Sequence, residues 1–361
     1  MSKDLQLIKR LLVAVLILAM ALSATVDMLS YADSVTSSEK EILDKVKREL
    51  PGQVTAVITA DASAPVGQPF NLNIRLDLPR IMTCQQNMNK SMIKSTKTAV
   101  IMSVYKNDCL EKIKQSIDSI VCQLVDIYVH IDGPIQTEVN KWLYNSLNTQ
   151  ITYISEGVVN KGLAYSMNEL LRIVLSRGYQ YIARMDADDI SMCNRFKKQI
   201  AFLDVHLEVD CLGTWAIEID ADGNEYFKKQ MPTTHAECLQ LFKKRDCMIH
   251  PTVMYRRTFF DKAGLYPEDT YFGEDTMMWA NGFKSGCQFA NLPEYLLKFR
   301  LDENFFNRRR GIRHAISIYI LRKKVNRLLG FGIKEDICAC LYALAKMMPA
   351  CILKIIYKMV R

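Results

Sequence analysis

Short apolar segments alternate with longer amphipathic segments from residue 98 onward, and this alternation limits the possible fold more than any other feature of the sequence. Apolar runs bounded by polar residues occur at 98–104, 125–131, 151–154 and 181–185. Helix-length segments separate them, which is the spacing of strand–helix–strand units. Such units build a mostly parallel sheet with helices on both faces. The sequence therefore predicts an α/β, Rossmann-like domain.

Composition divides the chain into four predicted regions. They are a hydrophobic signal-like or anchor-like segment at 1–30, a small appendage and linker at 31–97, the α/β domain at 98–305, and a basic amphipathic helical tail at 306–361. Within the appendage, residues 54–58 and 70–78 show the alternation of strands.

Positive charge is concentrated in the tail. Residues 308–361 contain thirteen Lys or Arg but only two acidic residues, Glu335 and Asp336. A basic, apolar tail suits the surface of an anionic bilayer, at roughly 1 kcal/mol per basic residue. The alternative is an ordinary solvated helical face. No nucleic-acid-binding motif accompanies the charge, so we expect no nucleic-acid partner.

The eleven cysteines are scattered without regular spacing and include no C-x-x-C pair. Buried free thiols in a reducing compartment explain this distribution most simply, which favours the cytosolic side of a membrane.

Three aspartates, Asp186, Asp188 and Asp189, follow the apolar run at 181–185. Crowded carboxylates repel one another unless a cation joins them. Residues two apart in an extended segment point the same way, so Asp186 and Asp188 suit a shared divalent ion. Phosphate oxygens and water would complete the shell of Mg²⁺ or Mn²⁺. The alternative is a solvated acidic turn.

A second acidic pair, Glu274 and Asp275, opens a helical segment. A carboxylate at this position could deprotonate an incoming hydroxyl group, a role that typically contributes about 10²–10⁴-fold in rate. The alternative is an aspartate that caps the helix N-terminus.

Six short motifs occur in the order and approximate spacing of family 2 glycosyltransferases with the GT-A fold. They are IMSVY at 101–105, HIDG at 130–133, NKGLA with a later Asn at 160–168, ARMDADDI at 183–190, HPTV at 250–253 and ED at 274–275. Each motif alone is weak, whereas six in series are specific. The chain most resembles bacterial enzymes of exopolysaccharide, capsule and O-antigen assembly, of the amylovoran biosynthesis type. The resemblance covers about residues 97–361.

The resemblance implies roles for individual residues on the donor side. Positions that hold the nucleotide base correspond to Ser103, Tyr105 and Asp132, with Asp132 accepting a uracil N–H. Asn160, Gly162 and Ala164 match the start of the donor-site helix. Two departures from the family pattern, Lys106 and Ile131, affect the details of base binding.

Further roles follow from the same resemblance. The D-x-D acids Asp186 and Asp188 match the residues that bind metal and ribose-phosphate, and Asp275 matches the catalytic base. Frequent substrate-side positions correspond to Arg195, His250, Glu274 and Arg300.

The implied activity is an inverting, metal-dependent hexosyl transfer from a nucleotide sugar, expected to be a UDP-sugar, to a lipid-linked or polysaccharide acceptor. The alternative from another class is a noncatalytic sugar-binding or membrane-binding module on the same scaffold. A haloacid-dehalogenase phosphatase is disfavoured because its aspartyl loop follows the first strand rather than the fourth. A processive synthase would need several spanning helices and a Gln-x-x-Arg-Trp element, which the sequence lacks.

The N-terminus conflicts with this activity. Residues 11–26 form an apolar run shorter than the ~20 residues of a spanning helix, and it resembles a signal h-region. The preceding Lys9 and Arg10 would send the following chain across the membrane, away from cytosolic nucleotide sugars. Three explanations remain open: an anchor of unusual topology, a lumenal type II enzyme, or a segment foreign to the catalytic unit. We expect a membrane-associated protein at the cytoplasmic face of the inner membrane.

Overall fold

The computed structural model describes residues 55–59, 73–77, 98–269, 272–301 and 309–349. The chain separates into two compact units near residue 92. In the first unit, strands β1 (Thr55–Thr59) and β2 (Asn73–Asp77) pair antiparallel, at the two places where the sequence shows strand-like alternation. The predicted segment at 1–30 and the rest of the appendage and linker at 31–97 lie outside the described residues.

The second unit carries the α/β pattern. Its strands are β3 (Thr98–Val104), β4 (Asp126–Asp132), β5 (Tyr153–Gly157), β6 (Tyr181–Arg184), β7 (Ile190–Ser191), β8 (Val209–Ile219), β9 (Glu225–Lys229), β10 (Met254–Arg256) and β11 (Gln288–Arg300). Its helices are α1 (Leu110–Val121), α2 (Thr137–Asn145), α3 (Leu163–Ser176), α4 (Arg195–Val205), α5 (His235–Phe242), α6 (Arg257–Ala263), α7 (Glu274–Lys284), α8 (Ile312–Leu329) and α9 (Ile333–Lys346).

The strands form one sheet in the order β5-β4-β3-β6-β10-β8-β11-β7, and β9 pairs with β8. Strands β3 to β6 pair parallel to one another, as predicted. Strand β10 runs antiparallel to both of its neighbours, so the second half of the sheet is mixed. Because the carboxyl ends of β3, β4 and β6 meet at one edge, the polar segments that follow these strands converge there.

Alternating side chains of β3 enter two separate cores. Val100 and Met102 pack with Ile113 and Ile117 of α1 on one face of the sheet, whereas Ile101 packs with α3, α6 and α7 on the other face. All of these β3 and α1 side chains are fully buried. The period of two along a strand produces this division. The predicted α/β architecture, with helices on both faces, is confirmed.

The described part of the tail forms the two helices α8 and α9, as predicted. Leu321 and Val325 of α8 enter the core that also contains α7. None of the helices in the described ranges combines the length and the apolar composition that crossing a membrane requires.

A close contact joins α8 to the start of α7. Gly273 precedes α7 with φ of +82°, in the left-handed region, and a Cβ there would lie 2.2 Å from Cδ2 of Leu321. Glycine suits both the backbone conformation and the available space. The tail therefore packs against the start of α7, next to the acidic pair on its first turn.

Gly273→Ala should destabilise the protein by about 2–4 kcal/mol, because alanine is strained at positive φ and its methyl group collides with Leu321. Urea denaturation measures the change. In the double variant Gly273→Ala/Leu321→Ala the obstructing atoms are gone, so its destabilisation should be less than the sum of the two single changes. Strictly additive effects would contradict the contact.

Candidate active site

The carboxylates that follow β6 lie at the sheet edge where the parallel strands end. Asp186 is about one-third exposed and pairs with Arg184 at 2.5 Å. Burial, and next the charge of Asp186, raise the pKa of Asp188 to about 6. Asp189 is buried, which together with its two acidic neighbours raises its pKa well above the ordinary range. The three side chains therefore form one electrostatic cluster, not a solvated acidic turn.

Arg300 holds the loop that carries this cluster. Its backbone N–H donates to Oδ1 of Asp189 at 2.8 Å, and its Nε donates to the carbonyl of Asp188 at 2.9 Å. Its Nη1 donates to the carbonyl of Ala221 at 2.8 Å, and the residue is only 6% exposed. The expectation that Arg300 binds substrate does not fit this position, because the N–H groups of its guanidinium donate to acceptors within the protein.

Arg195 does not reach the cleft either. It is fully buried at the start of α4, where Nη2 donates to the carbonyl of Arg184 at 2.9 Å and Nε donates to Gln199 at 3.1 Å. Its position corrects the prediction of a substrate contact. The residue instead fastens the end of β6, from which the acidic loop leaves the sheet.

Asp108 is a member of the cluster that the sequence analysis missed. It accepts the backbone N–H of Tyr105 at 2.9 Å and closes a tight turn after β3, just beyond Ser103. Burial raises its pKa to about 7, the Tyr105 N–H opposes the rise, and the charges of Asp188 and Asp186 add to it. An aspartate four residues after the end of a buried parallel strand was the available signal, since such positions meet at the binding edge.

The cluster fits a divalent cation that shares its shell with a ligand. The charge of Asp186 raises the pKa of both Asp108 and Asp188, and the charge of Asp188 raises that of Asp108, which is the condition that a bound cation relieves. Within the described ranges, no three His, Cys, Asp or Glu side chains are grouped so as to hold an ion by themselves. Mg²⁺ commonly takes one or two carboxylates and completes its shell with phosphate oxygens and water.

Two of the predicted donor-side residues, Asn160 and Gly162, contact Asp132 at the end of β4. Its Oδ1 accepts the N–H of Lys161 at 2.7 Å and its Oδ2 accepts the N–H of Gly162 at 2.9 Å. The side-chain amide of Asn160 donates to the Asp132 carbonyl at 3.2 Å. Asp132 is 3% exposed, so its carboxylate positions the loop before α3. The structure thus gives this carboxylate backbone partners where the sequence analysis expected a uracil N–H.

A cleft of about 410 Å³ opens beside this loop. It is lined by Lys161, Gly162, Leu163, Ala164, Tyr165, Glu268 and Glu274. The start of α3 and the start of α7 therefore face one shared space, which brings the predicted donor-site helix and Glu274 together.

Asp275 occupies the first turn of α7 and is about one-quarter exposed. Burial, followed by the charges of Glu274 and Asp246, raises its pKa to about 8. Its Oδ1 accepts the N–H of Thr276 at 2.7 Å. Gly273, not Asp275, is the N-cap of this helix, so the capping alternative is wrong. The other carboxylate oxygen of Asp275, Oδ2, faces His250.

His250 is a buried neighbour of Asp275. Its Nδ1 lies 3.9 Å from Oδ2 of Asp275, and its Nε2 is 2.8 Å from the hydroxyl of Tyr266. Burial lowers the pKa of His250 well below its ordinary value, so the ring is neutral at pH 7. The neighbours of both ring nitrogens are groups of the protein, Asp275 and Tyr266. His250 therefore approaches the site through Asp275, whereas a direct substrate contact was predicted.

Arg184 interacts electrostatically both with the acidic loop after β6 and with Asp275 on α7. It is 2% exposed at the end of β6 and pairs with Asp186. Its positive charge opposes the rise in the pKa of both Asp188 and Asp275, so both carboxylates lie within electrostatic range of one guanidinium. Its Nε and Nη1 are buried without a hydrogen-bond partner in the described part of the chain. The sequence signal was a charged residue inside an apolar strand.

Comparison with known proteins gives this arrangement a family. Residues 99–264 match the model of glycosyl transferase family 2. These residues belong to that family. The predicted enzyme class, a glycosyltransferase, is confirmed. Asp275 lies beyond the matched residues, so its assignment depends on the geometry described above.

Two bacterial relatives of this glycosyltransferase are a little over one-quarter identical to it over the aligned residues. The amylovoran biosynthesis glycosyltransferase AmsE of Erwinia amylovora is 28% identical, over 72% of this chain and 97% of that protein. The UDP-Gal:alpha-D-GlcNAc-diphosphoundecaprenol beta-1,3-galactosyltransferase of Escherichia coli is 26% identical, over 61% of this chain and 80% of that protein. The solved structure of S. aureus TarS 1-349 with UDP-GlcNAc is 17% identical, covers 73% of this chain and 83% of its own, and gives a TM-score of 0.48.

Asp275→Asn should stabilise the protein at alkaline pH. A pKa raised from 3.8 to about 8 means that the folded state retains a proton that the unfolded state has released. The contribution of this group is fully present below pH 4 and is lost as the pH rises through about 8. Asparagine has no such proton, and its Oδ1 can still accept the Thr276 N–H.

We expect the free energy of unfolding of Asp275→Asn to exceed that of the wild type by at least about 1 kcal/mol at pH 8, with no difference near pH 4. Urea denaturation at both pH values measures it. Asp269→Asn, on the exposed surface, is the control and should not be stabilised at pH 8. Equal pH dependence of the wild type and Asp275→Asn would show that the carboxyl is not perturbed.

Proposed function

We propose that this enzyme transfers a hexose from a UDP-sugar to a lipid-linked glycan, with inversion and with a divalent cation, in the assembly of a surface polysaccharide. One observation carries the proposal: Asp188, on the loop after β6, and Asp275, on the first turn of α7, both lie within electrostatic range of the Arg184 guanidinium. A cation-binding acid and a proton acceptor can therefore act on one sugar.

The names of the relatives support the donor and the acceptor. The Escherichia coli relative is named for UDP-Gal and for an acceptor linked to diphosphoundecaprenol. Two other relatives are named for the biosynthesis of amylovoran and of O-antigen. We extend this substrate class to the present chain: a nucleotide sugar and a lipid-linked acceptor.

The chemistry is a single displacement. The acceptor hydroxyl oxygen forms a bond to the anomeric carbon while the bond from that carbon to the donor phosphate breaks, and the electron pair leaves with the nucleoside diphosphate. The hydroxyl proton passes to Oδ2 of Asp275 in its ionised form, and a pKa of about 8 makes this carboxylate a stronger proton acceptor than an ordinary aspartate. With one base and no second positioned nucleophile in the proposed site, the anomeric configuration inverts.

Asp186 and Asp188 would hold the divalent cation, whose contribution when bound is Lewis-acid stabilisation of the leaving diphosphate. The residues of the chain do the rest. Arg300 and Asp189 keep the loop in place, and Arg184 neutralises Asp186. Asp132 sets the loop before α3, and neutral His250 orients the base.

We also place the reaction at the cytoplasmic face of a membrane, where a lipid-linked acceptor and a nucleotide sugar can meet. The cysteines support a reducing compartment, because all of those in the described ranges are free and four of them, Cys211, Cys238, Cys247 and Cys287, are buried.

Asp275→Asn should lower kcat for sugar transfer by at least about 10²-fold, because amide nitrogen and oxygen cannot take the acceptor proton. The affinity for the donor should stay within about twofold, since this carboxylate does not bind the nucleotide. Steady-state kinetics and calorimetry measure the two quantities. Asp269→Asn, the same change on the exposed surface, should keep full turnover. An active Asp275→Asn enzyme would eliminate Asp275 as the base.

Asp188→Ala should weaken donor binding in the presence of Mn²⁺ while leaving the weaker binding seen with a chelator unchanged. The reason is that Asp188 contributes through the cation and not through direct contact with the sugar. Calorimetric titration with UDP, with Mn²⁺ and with EDTA, makes the comparison. Asp222→Ala, an exposed change, is the control. If Asp188→Ala binds UDP with the same Mn²⁺ dependence as the control, Asp188 does not hold the ion.

A further inference from the structure

Helix α9 buries small side chains and exposes large aliphatic ones, the reverse of an ordinary surface helix. Its small residues Ala339 and Ala343 are buried, whereas its large aliphatic residues Ile333 and Ile337 are 79% and 55% exposed. Surface helices of globular proteins usually bury such a stripe. The exposed stripe continues through Leu344, and the spacing of four and seven residues places its members on one side of the helix.

Helix α8 adds a second exposed stripe. Ile312, Ile316 and Ile320 recur every fourth residue and are 64%, 53% and 60% exposed, while the other side of α8 packs into the core. The start of α8 lies beside the end of α9, since the N–H of Gly311 donates to the carbonyl of Lys346 at 3.0 Å. We call the two stripes together the tail face: Ile312, Ile316, Ile320, Ile333, Ile337 and Leu344.

The surroundings of the tail face are basic. Arg310, Arg313, Arg327 and Lys334 on the same two helices and the turn before them are all exposed. Aliphatic side chains bordered by cations match the acyl chains and head groups of an anionic lipid leaflet. A second copy of the chain is a poorer occupant, because two basic surfaces would face each other.

We propose that the tail face docks on the surface of an anionic lipid bilayer. The isoleucines enter the region between head groups and acyl chains, and the flanking arginines and lysines contact lipid phosphates. Both helices lie along the membrane and do not cross it, in agreement with their length and composition.

Helix α8 also packs against the candidate active site. Leu321 contacts Gly273 at the start of α7, and Nη2 of Arg322 lies 3.7 Å from Asp246, one of the residues that raise the pKa of Asp275. Docking of the tail face would therefore hold the cleft close to the bilayer. The benefit for a lipid-linked acceptor depends on the proposed function, whereas the docking itself does not.

Tryptophan fluorescence tests the docking on the full-length protein. In Ile337→Trp the new indole should shift to shorter wavelength when vesicles of phosphatidylcholine and phosphatidylglycerol are added, and lipids brominated on their acyl chains should quench it. Leu207→Trp, at a position 73% exposed after α4, is the matched control and should show neither effect. Equal quenching at the two positions would overturn the proposal. A shift that depends on protein concentration without vesicles would overturn it in favour of self-association.

A charge-insertion pair tests the contribution to affinity. Ile333→Asp/Ile337→Asp should bind the same vesicles roughly tenfold or more weakly than the wild type, because two aliphatic contacts are lost and two anions face the lipid phosphates. Val205→Asp/Leu207→Asp, at positions 76% and 73% exposed, is the control and should bind like the wild type. Equal affinity of the two variants would contradict the docking.

The same variants separate this inference from the proposed function. Ile333→Asp/Ile337→Asp should keep the wild-type rate of UDP release from a UDP-sugar in solution and lose transfer to an acceptor embedded in vesicles. Loss of vesicle binding with no UDP release from any UDP-sugar, even in the wild type, would support the docking and reject the transferase proposal. Normal transfer to the embedded acceptor by the variant would reject a role for docking in the reaction.

Discussion

Repulsion among carboxylates at the end of β6 is the constraint on which the rest of the site depends. Asp108, Asp186, Asp188 and Asp189 are brought together because β3 and β6 are parallel neighbours whose carboxyl ends coincide. Such a cluster would be costly if left uncompensated in a poorly hydrated environment. Arg184 offsets part of the charge by direct pairing. The backbone N–H groups of Arg300 and Tyr105 donate to Asp189 and Asp108, and the charge of the buried Arg195 interacts with that of Asp189.

Burial of those arginines explains which parts of the site could be predicted from sequence. The acids could be found, since an acidic cluster after an apolar run has few structural uses. The arginines could not be assigned, because Arg195 and Arg300 satisfy their guanidinium groups with carbonyls that become neighbours only through folding. The partners of Arg300 include Asp188, 112 residues away in sequence. A guanidinium that binds phosphate and one that binds backbone carbonyls look the same in a sequence.

The fold followed from the sequence more completely than the site did. Strand–helix alternation predicted the parallel half of the sheet, because each of β3, β4 and β6 is a single apolar run. The antiparallel insertion of β10 had no comparable signal, since this strand has only three residues and takes its place from its neighbours. Asp132 shows the same limit at the level of one residue. Its partners Lys161 and Gly162 lie about thirty residues away, and only the loop geometry shows that they occupy the carboxylate.

The two faces of α8 connect the site to the outer surface through one rigid element. The inner face is buried in the core through Leu321, which fills the space beside Gly273 at the start of α7. A helix with its side chains is about 10–12 Å across, so fixing the inner face also fixes the outer face at that distance. Ile316 and Ile320 therefore cannot change their orientation without disturbing the residue that begins α7. Anything that binds the outer face is thereby held at a set distance from Asp275.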